Sequence, residues 1–345
     1  MSFWHKLPKP IIVLAPMADV TDAAFRRVIS TYSRHTRKDG TEGGPDVFWT
    51  EFVSADGLMR ATEEGKKKLM ADLQYTEEER PIVAQLFSAH PDYMEKAARL
   101  CAELGFDGID INMGCPDRGI EKQGCGAAMI KNPEKAQEII RAAKRGAGDV
   151  PVSVKTRIGY NTHELATWLP ALLSESPEVI TVHARTRKEM SKVPARWEHV
   201  REAVLMRDTI QDDAWQRENP NREKTLIFGN GDVTSLQDAY ERAETYGADG
   251  VMIGRGIFGN PWFFHPQFET TPPTLGERLD VLVLHTRLYE ELLPHKSFAL
   301  MKKHYKAYLH GFEGTKDLRM ALMDTCNSDE VARVVDSFKK AHTRV

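Results

Sequence analysis

The side chains able to do chemistry stand in short polar stretches that follow apolar runs. Asn112-Met113-Gly114-Cys115-Pro116 presents a cysteine followed by Pro116, Asp117, Arg118 and Gly119, a loop and not a core. A thiol in such surroundings can act as nucleophile or as proton donor. Cys101, mid-helix beside Leu100 and Leu104, reads as a small buried hydrophobe. Cys125, on the same loop as Cys115 but among glycines, is the weaker candidate. Lys155 in Val154-Lys155-Thr156-Arg157 offers a cation that could stabilise developing negative charge or form a Schiff base. Both readings stay open. Gly229-Asn230-Gly231-Asp232 and Gly254-Arg255-Gly256 combine glycines, past which backbone N–H groups can approach phosphate oxygens, with an arginine fork. Gln85, His183 and Arg185 complete the set; any one of them alone is an ordinary loop cap or structural residue.

What joins them is their position. Apolar, β-branched runs recur at 11–15, 47–52, 82–87, 108–113, 152–156, 179–183, 226–229 and 251–254. Several are continuous and not alternating, as parallel strands covered on both faces should be. Helical periodicity fills the intervals at 92–104, 133–145, 163–174 and 235–246. Asp92, Asn132 and Thr234 or Ser235 are start signals, and Gly105 and Gly247 stop signals. Eight strands alternating with helices predict an α/β fold, a (β/α)8 TIM barrel, whose active site lies at the C-terminal strand ends. Every strand ends in polar or special residues: Pro16-Met17, Thr50-Glu51, Gln85, 112–115, 155–157, 183–185, 230–232 and 254–255. The last two occupy the usual phosphate corner of such barrels. An open doubly wound sheet is the competing topology, but no G-x-G-x-x-G follows the first strand.

From about Thr270 the texture changes. Thr270-Thr271-Pro272-Pro273 marks a linker, and 275–293, 296–310 and 328–342 read as amphipathic helices. The expected organisation is a barrel over 1–269 and a small C-terminal helical domain over 270–345. The polar stretch 207–224 is expected to be a surface insertion.

At 345 residues, 41% hydrophobic and 28% charged, the chain has the composition of a soluble globular protein with a sizeable core. Its four cysteines make no C-x-x-C pair and no zinc spacing, so a reduced, cytoplasmic protein without metal is expected. No signal peptide and no membrane span is visible. With a net charge of −3, any nucleic-acid contact must come from a local basic surface.

Leu14-Ala15-Pro16-Met17-Ala18 with Thr21-Asp22 and Phe25-Arg26 resembles the opening motif of the tRNA-dihydrouridine synthases, and Asn112-Met113-Gly114-Cys115-Pro116 is similar to their most specific signature. The motifs around Lys155, His183, Asn230 and Arg255 follow in the family's order, and Lys302-Lys303-His304 and Gly311-Phe312 are similar to the tail of bacterial members. The resemblance spans nearly the whole chain. It implies FMN at the barrel mouth, with Pro16, Met17 and Ala18 along the isoalloxazine and Gln85 and Lys155 on its polar edge. His183, Asn230, Gly231, Asp232, Gly254 and Arg255 would serve the ribityl-phosphate end. It further implies NADPH as reductant, hydride transfer from flavin N5 to uracil C6, and Cys115 as the acid that protonates C5. Asn112, Arg157 and Arg185 would hold the substrate, and Lys302 and Lys303 the tRNA, in a monomeric protein.

The tail also carries Lys296, Lys306, Lys316 and Arg319, interleaved with His304, Tyr305, Tyr308 and His310, a stripe that could grip phosphates and stack bases. Two rivals remain: a flavin barrel acting on a free pyrimidine, such as a dihydropyrimidine or dihydroorotate oxidoreductase, and a tRNA-binding barrel without chemistry.

Overall fold

The computed structural model describes residues 2–36 and 40–342. Eight parallel strands form its centre: β1 (Ile11–Leu14), β2 (Phe48–Ser54), β3 (Ile82–Phe87), β4 (Gly108–Met113), β5 (Val152–Arg157), β6 (Val179–His183), β7 (Leu226–Asn230) and β8 (Gly250–Ile253). They pair in the order β1-β8-β7-β6-β5-β4-β3-β2. A parallel bridge between Val13 and Val47 closes the ring, carried by Leu14 N–H to the Val47 carbonyl at 3.1 Å. The barrel is thus closed, and its helices lie outside.

Two apolar cores follow from strand alternation. One set of side chains fills the barrel: Ile11, Val13, Val47, Trp49, Val83, Phe228 and Met252, plugged by Trp4 from the N-terminal turn. Trp4 packs on Trp49 and edge-on to Phe228, at 5.5 and 5.8 Å between ring centres. The other set packs on the helices. Gly229 is required at the crowded end of β7, where a Cβ would meet the Trp197 ring at 2.1 Å.

Helix signals hold with small shifts. Asn132 and Ser235 cap Pro133–Ala147 and Leu236–Tyr246, accepting from Lys135 and Asp238 N–H. Gly247 ends the latter at φ +71°. The cap of Pro91–Glu103 is His90 and not Asp92, because Pro91 takes the first helical position, where its missing N–H is not needed. The stretch 207–224 is only partly an insertion. Arg207 and Gln211 belong to the end of Glu198–Ile210 and its cap, and both are buried. Arg207 reaches Asp249 at 2.9 Å, and Gln211 brackets Thr225.

The C-terminal residues are helical, as expected, with two differences. The segment 296–310 is a 3-10 turn, Phe298–Met301, leading into Lys302–Tyr308, its start set by Ser297. Lys316–Asp324 is a further helix whose short apolar stripe, Leu318 and Leu322, gave little periodic signal. Leu275–Leu292 packs along Ala23–Ser33. His304, Tyr305 and Tyr308 are buried and so do not interleave with surface charge. His304 instead stacks on Phe258 at 5.0 Å and meets Phe25 and His285 edge-on. Lys296 is likewise turned inward, to Glu51 at 2.6 Å and Asp72 at 2.9 Å.

Candidate active site

A cavity of about 630 Å³ opens at the C-terminal ends of the strands. Its wall includes Pro16, Met17, Gln85, Asn112, Cys115, Lys155, Arg157, His183, Arg185, Asn230, Gly231, Asp232, Gly254 and Arg255. Ala18 lies in an exposed turn outside that wall, and Lys302 and Lys303 stand outside it on the helix Lys302–Tyr308. Phe52, Ser191 and Thr234 join the wall without a sequence signal. Phe52 arrives there because the β2–β3 register shifts between Trp49 and Phe52, which turns Glu51 away toward the Asp19 N–H and Lys296.

The Cys115 loop is fixed by a relay that starts beneath it. Buried Asp110 accepts from Ser153 Oγ and from Gln85 Nε2, each at 2.6 Å. Gln85 Oε1 then accepts from Asn112 Nδ2 at 3.0 Å. Asn112 Oδ1 in turn accepts from the Gly114 and Cys115 N–H groups at 3.1 and 2.9 Å. The relay fixes both amide orientations. Burial pushes the Asp110 carboxyl up to about 6 against the pull of these bonds and of Lys155. From β5, Arg157 Nε grips the Gly114 carbonyl at 2.7 Å while its Nη1 holds the Thr186 and Met190 carbonyls.

Burial raises the Cys115 thiol above its ordinary value, with the Asp117 backbone and then Arg157 and Lys155 only partly offsetting it. At neutral pH it is therefore a protonated acid facing the cavity. Cys125 packs between Phe87 and Ile120, and burial pushes it up to about 12. It takes no part in the cavity wall.

Lys155 points its ammonium at Asn230 Oδ1, 3.2 Å away, and Asn230 Nδ2 holds the Met252 carbonyl. Burial, then the Arg157 charge, lowers Lys155 to about 8. His183 is held well below its usual range by burial and by Arg157, Lys155, Arg185 and Arg255. Its Nε2 accepts from Arg185 at 3.1 Å, so the neutral ring carries its proton on Nδ1. Asp232, at φ +54°, accepts from Arg185, from Arg255 at 2.9 Å and from the Ala195 N–H. Its carboxylate orients two arginines. At Gly231 a Cβ would meet Ala195 at 2.8 Å, and at Gly256 the Val233 carbonyl at 2.6 Å, so backbone lines this corner. Arg185 and Arg255 against one carboxylate, over glycine backbone, form a corner whose chemistry suits a phosphorylated ligand.

The family model for dihydrouridine synthase (Dus) matches residues 13–343. The chain belongs to the dihydrouridine synthase family. A Bacillus subtilis (strain 168) protein named probable tRNA-dihydrouridine synthase 2 is 40% identical over 344 residues, covering 99% of this chain and 98% of that protein. A Staphylococcus aureus (strain MRSA252) probable tRNA-dihydrouridine synthase is 39% identical over 341 residues, 98% of this chain and 96% of the other. The solved structure of morphinone reductase matches at TM-score 0.50 and 12% identity, covering 76% of this chain and 86% of that one, a likeness of fold. This dihydrouridine synthase family member has, among its described residues, no helix long and apolar enough to cross a membrane.

A second groove, about 460 Å³, lies between the loop after β8 and the C-terminal helices, lined by Phe258, Asn260, Arg278, Lys303, Lys306 and His310. Gly259 lets that loop approach the helix, since a Cβ there would meet the Ala307 backbone at 2.3 Å. The loop thus borders the basic groove on one side and, through Gly254-Arg255-Gly256, the cavity on the other.

Proposed function

We propose that the protein is a tRNA-dihydrouridine synthase that reduces the 5,6 double bond of particular uridines, with FMN as prosthetic group and NADPH as reductant. The observation that carries the proposal is one cavity in which a protonated thiol faces a cationic, glycine-lined cradle. Bound there, FMN would supply the hydride for C6 of the uracil, with NADPH as the source of reducing equivalents. The chain's own residues do the rest. Pro16 and Met17 line the flat side of the ring site, and Gln85 and Lys155 bind its polar edge. His183, Asn230, Gly231, Gly254 and Arg255 hold the ribityl-phosphate, with Asp232 aiming Arg255 and Arg185. Addition of hydride at C6 builds negative charge toward C5 and O4. Cys115 gives its proton to C5, and a positioned acid of this kind contributes about 10²- to 10⁴-fold. Asn112 and Arg157, both beside Cys115, hold the base.

A uracil reaches such a cavity only after leaving its stack. Residues 270–345 serve as the tRNA-recognition unit, with Lys303, Lys306 and Arg278 along the basic groove and Lys302, Lys316 and Arg319 as further basic residues of the same unit. The visible absorption spectrum of the purified protein tests the prosthetic group. Flavin bands, with FMN as the released chromophore, support the reading; a colourless protein that takes up no FMN overturns it.

A further inference from the structure

Outside the cavity, the fold brings a histidine from one segment to a histidine and a glutamate on another. His163 belongs to the segment after β5, while His199 and Glu202 stand one turn apart on Glu198–Ile210, which follows β6. His163 Nε2 and His199 Nδ1 each lie 2.9 Å from the same oxygen, Oε2 of Glu202. The two rings stack at 4.1 Å and 22°, and the three donor atoms fall within 4.8 Å of one another. None of the three lines the catalytic cavity.

We propose that His163, His199 and Glu202 form a binding site for one divalent transition-metal ion of the zinc class. Two imidazole nitrogens and a carboxylate suit Zn²⁺, Co²⁺ or Ni²⁺, whereas Mg²⁺ and Ca²⁺ select all-oxygen sites. Metal–ligand distances of about 2.0–2.2 Å in a tetrahedron place donor atoms roughly 3.4 Å apart. A slight opening of these contacts seats the ion in place of the proton by which His199 Nδ1 now bonds Glu202, with the His163 ring turning its Nε2 toward it. The backbone that carries the groups is fixed in advance. The turn carrying His163 is tight: a Cβ at Gly159 would meet the Thr162 carbonyl at 1.9 Å, and Glu164 N–H returns to the Ile158 carbonyl at 2.8 Å. His199 and Glu202 share one helix face by their i,i+3 spacing. Arg201, the cation next in sequence, is turned away, bonded to the Thr245 carbonyl and lying over the Tyr246 ring. The side chains keep 33%, 20% and 35% of their surface, so an ion can enter and a water can fill the fourth position. Occupied, the site ties the segment after β5 to the helix after β6.

The test is titration of the chelator-stripped full chain with Co²⁺ followed by its visible bands, and with Zn²⁺ by calorimetry. One saturable equivalent with nitrogen–oxygen bands is expected. His163→Ala and His199→Ala should each weaken it by at least about tenfold. Glu202→Gln, which keeps the side-chain volume, should do the same. Binding of unchanged affinity in these variants overturns the proposal, as does thiolate charge-transfer absorption or no saturable binding. All readouts are independent of dihydrouridine formation.

Discussion

Two thiols on one loop separate by environment. Cys115 opens onto the cavity beside Arg157 and Lys155, whereas Cys125 is sealed between Phe87 and Ile120. Cys115→Ala should give a folded, yellow protein that binds tRNA but forms dihydrouridine at least about 10²-fold more slowly, measured by nucleoside mass spectrometry. Cys125→Ala should keep turnover within a few-fold and destabilise by about 1 kcal/mol in a denaturant titration, because it only trims a packed side chain. Wild-type turnover in Cys115→Ala would remove that thiol from the mechanism. In the sequence Cys115 was legible through its loop of polar neighbours. The isolation of Cys125 was not, since it arises from Phe87 and Ile120 folding over it. Asp232 was legible as a site residue, but its pairing with Arg185 and Arg255 depends on three loops meeting.

Among elements, strand ends carry the site and one ion cluster seats the tail. The eight strands and their polar ends could be read from apolar runs, because strands buried on both faces leave little else to read. The irregularity in β2 could not, and it decides that Phe52 enters the cavity while Glu51 leaves it. Glu51 then meets Lys296, a residue that composition alone assigns to an RNA-facing stripe. Both side chains are largely buried, with Asp72 as a third partner. Removing the cation strands Glu51 without a counter-charge. Lys296→Ala should therefore destabilise the chain by about 3 kcal/mol, and Lys306→Ala, on the surface, by almost nothing. Equal melting temperatures for the two variants would contradict the placement. The buried tail aromatics teach the same lesson: His304, Tyr305 and Tyr308 look like a stacking surface in one dimension and are packed core in three.

Over the whole molecule, a net charge of −3 coexists with a cavity dominated by cations and a basic groove beside it. Lys155, lowered to about 8 in the free protein, loses its charge as pH rises through that value. FMN affinity should fall above pH 8 in a fluorescence titration, and Lys155→Met should flatten that slope. The linkage to stability runs the other way: a lysine whose folded value lies below its unfolded one adds stability as pH rises from about 8 toward about 10.4. If tRNA runs along the basic groove, its affinity should decline log-linearly with salt, and Lys303→Ala with Lys306→Ala should reduce that slope by about two phosphates' worth. The most direct measurement incubates the flavin-loaded protein and NADPH with unmodified tRNA, and with free uridine or orotate, and quantifies the dihydro products. Dihydrouridine in the tRNA, with no turnover of the free pyrimidines and little in Cys115→Ala, is the predicted result. Reduction of the free pyrimidines with the tRNA left unchanged would contradict it.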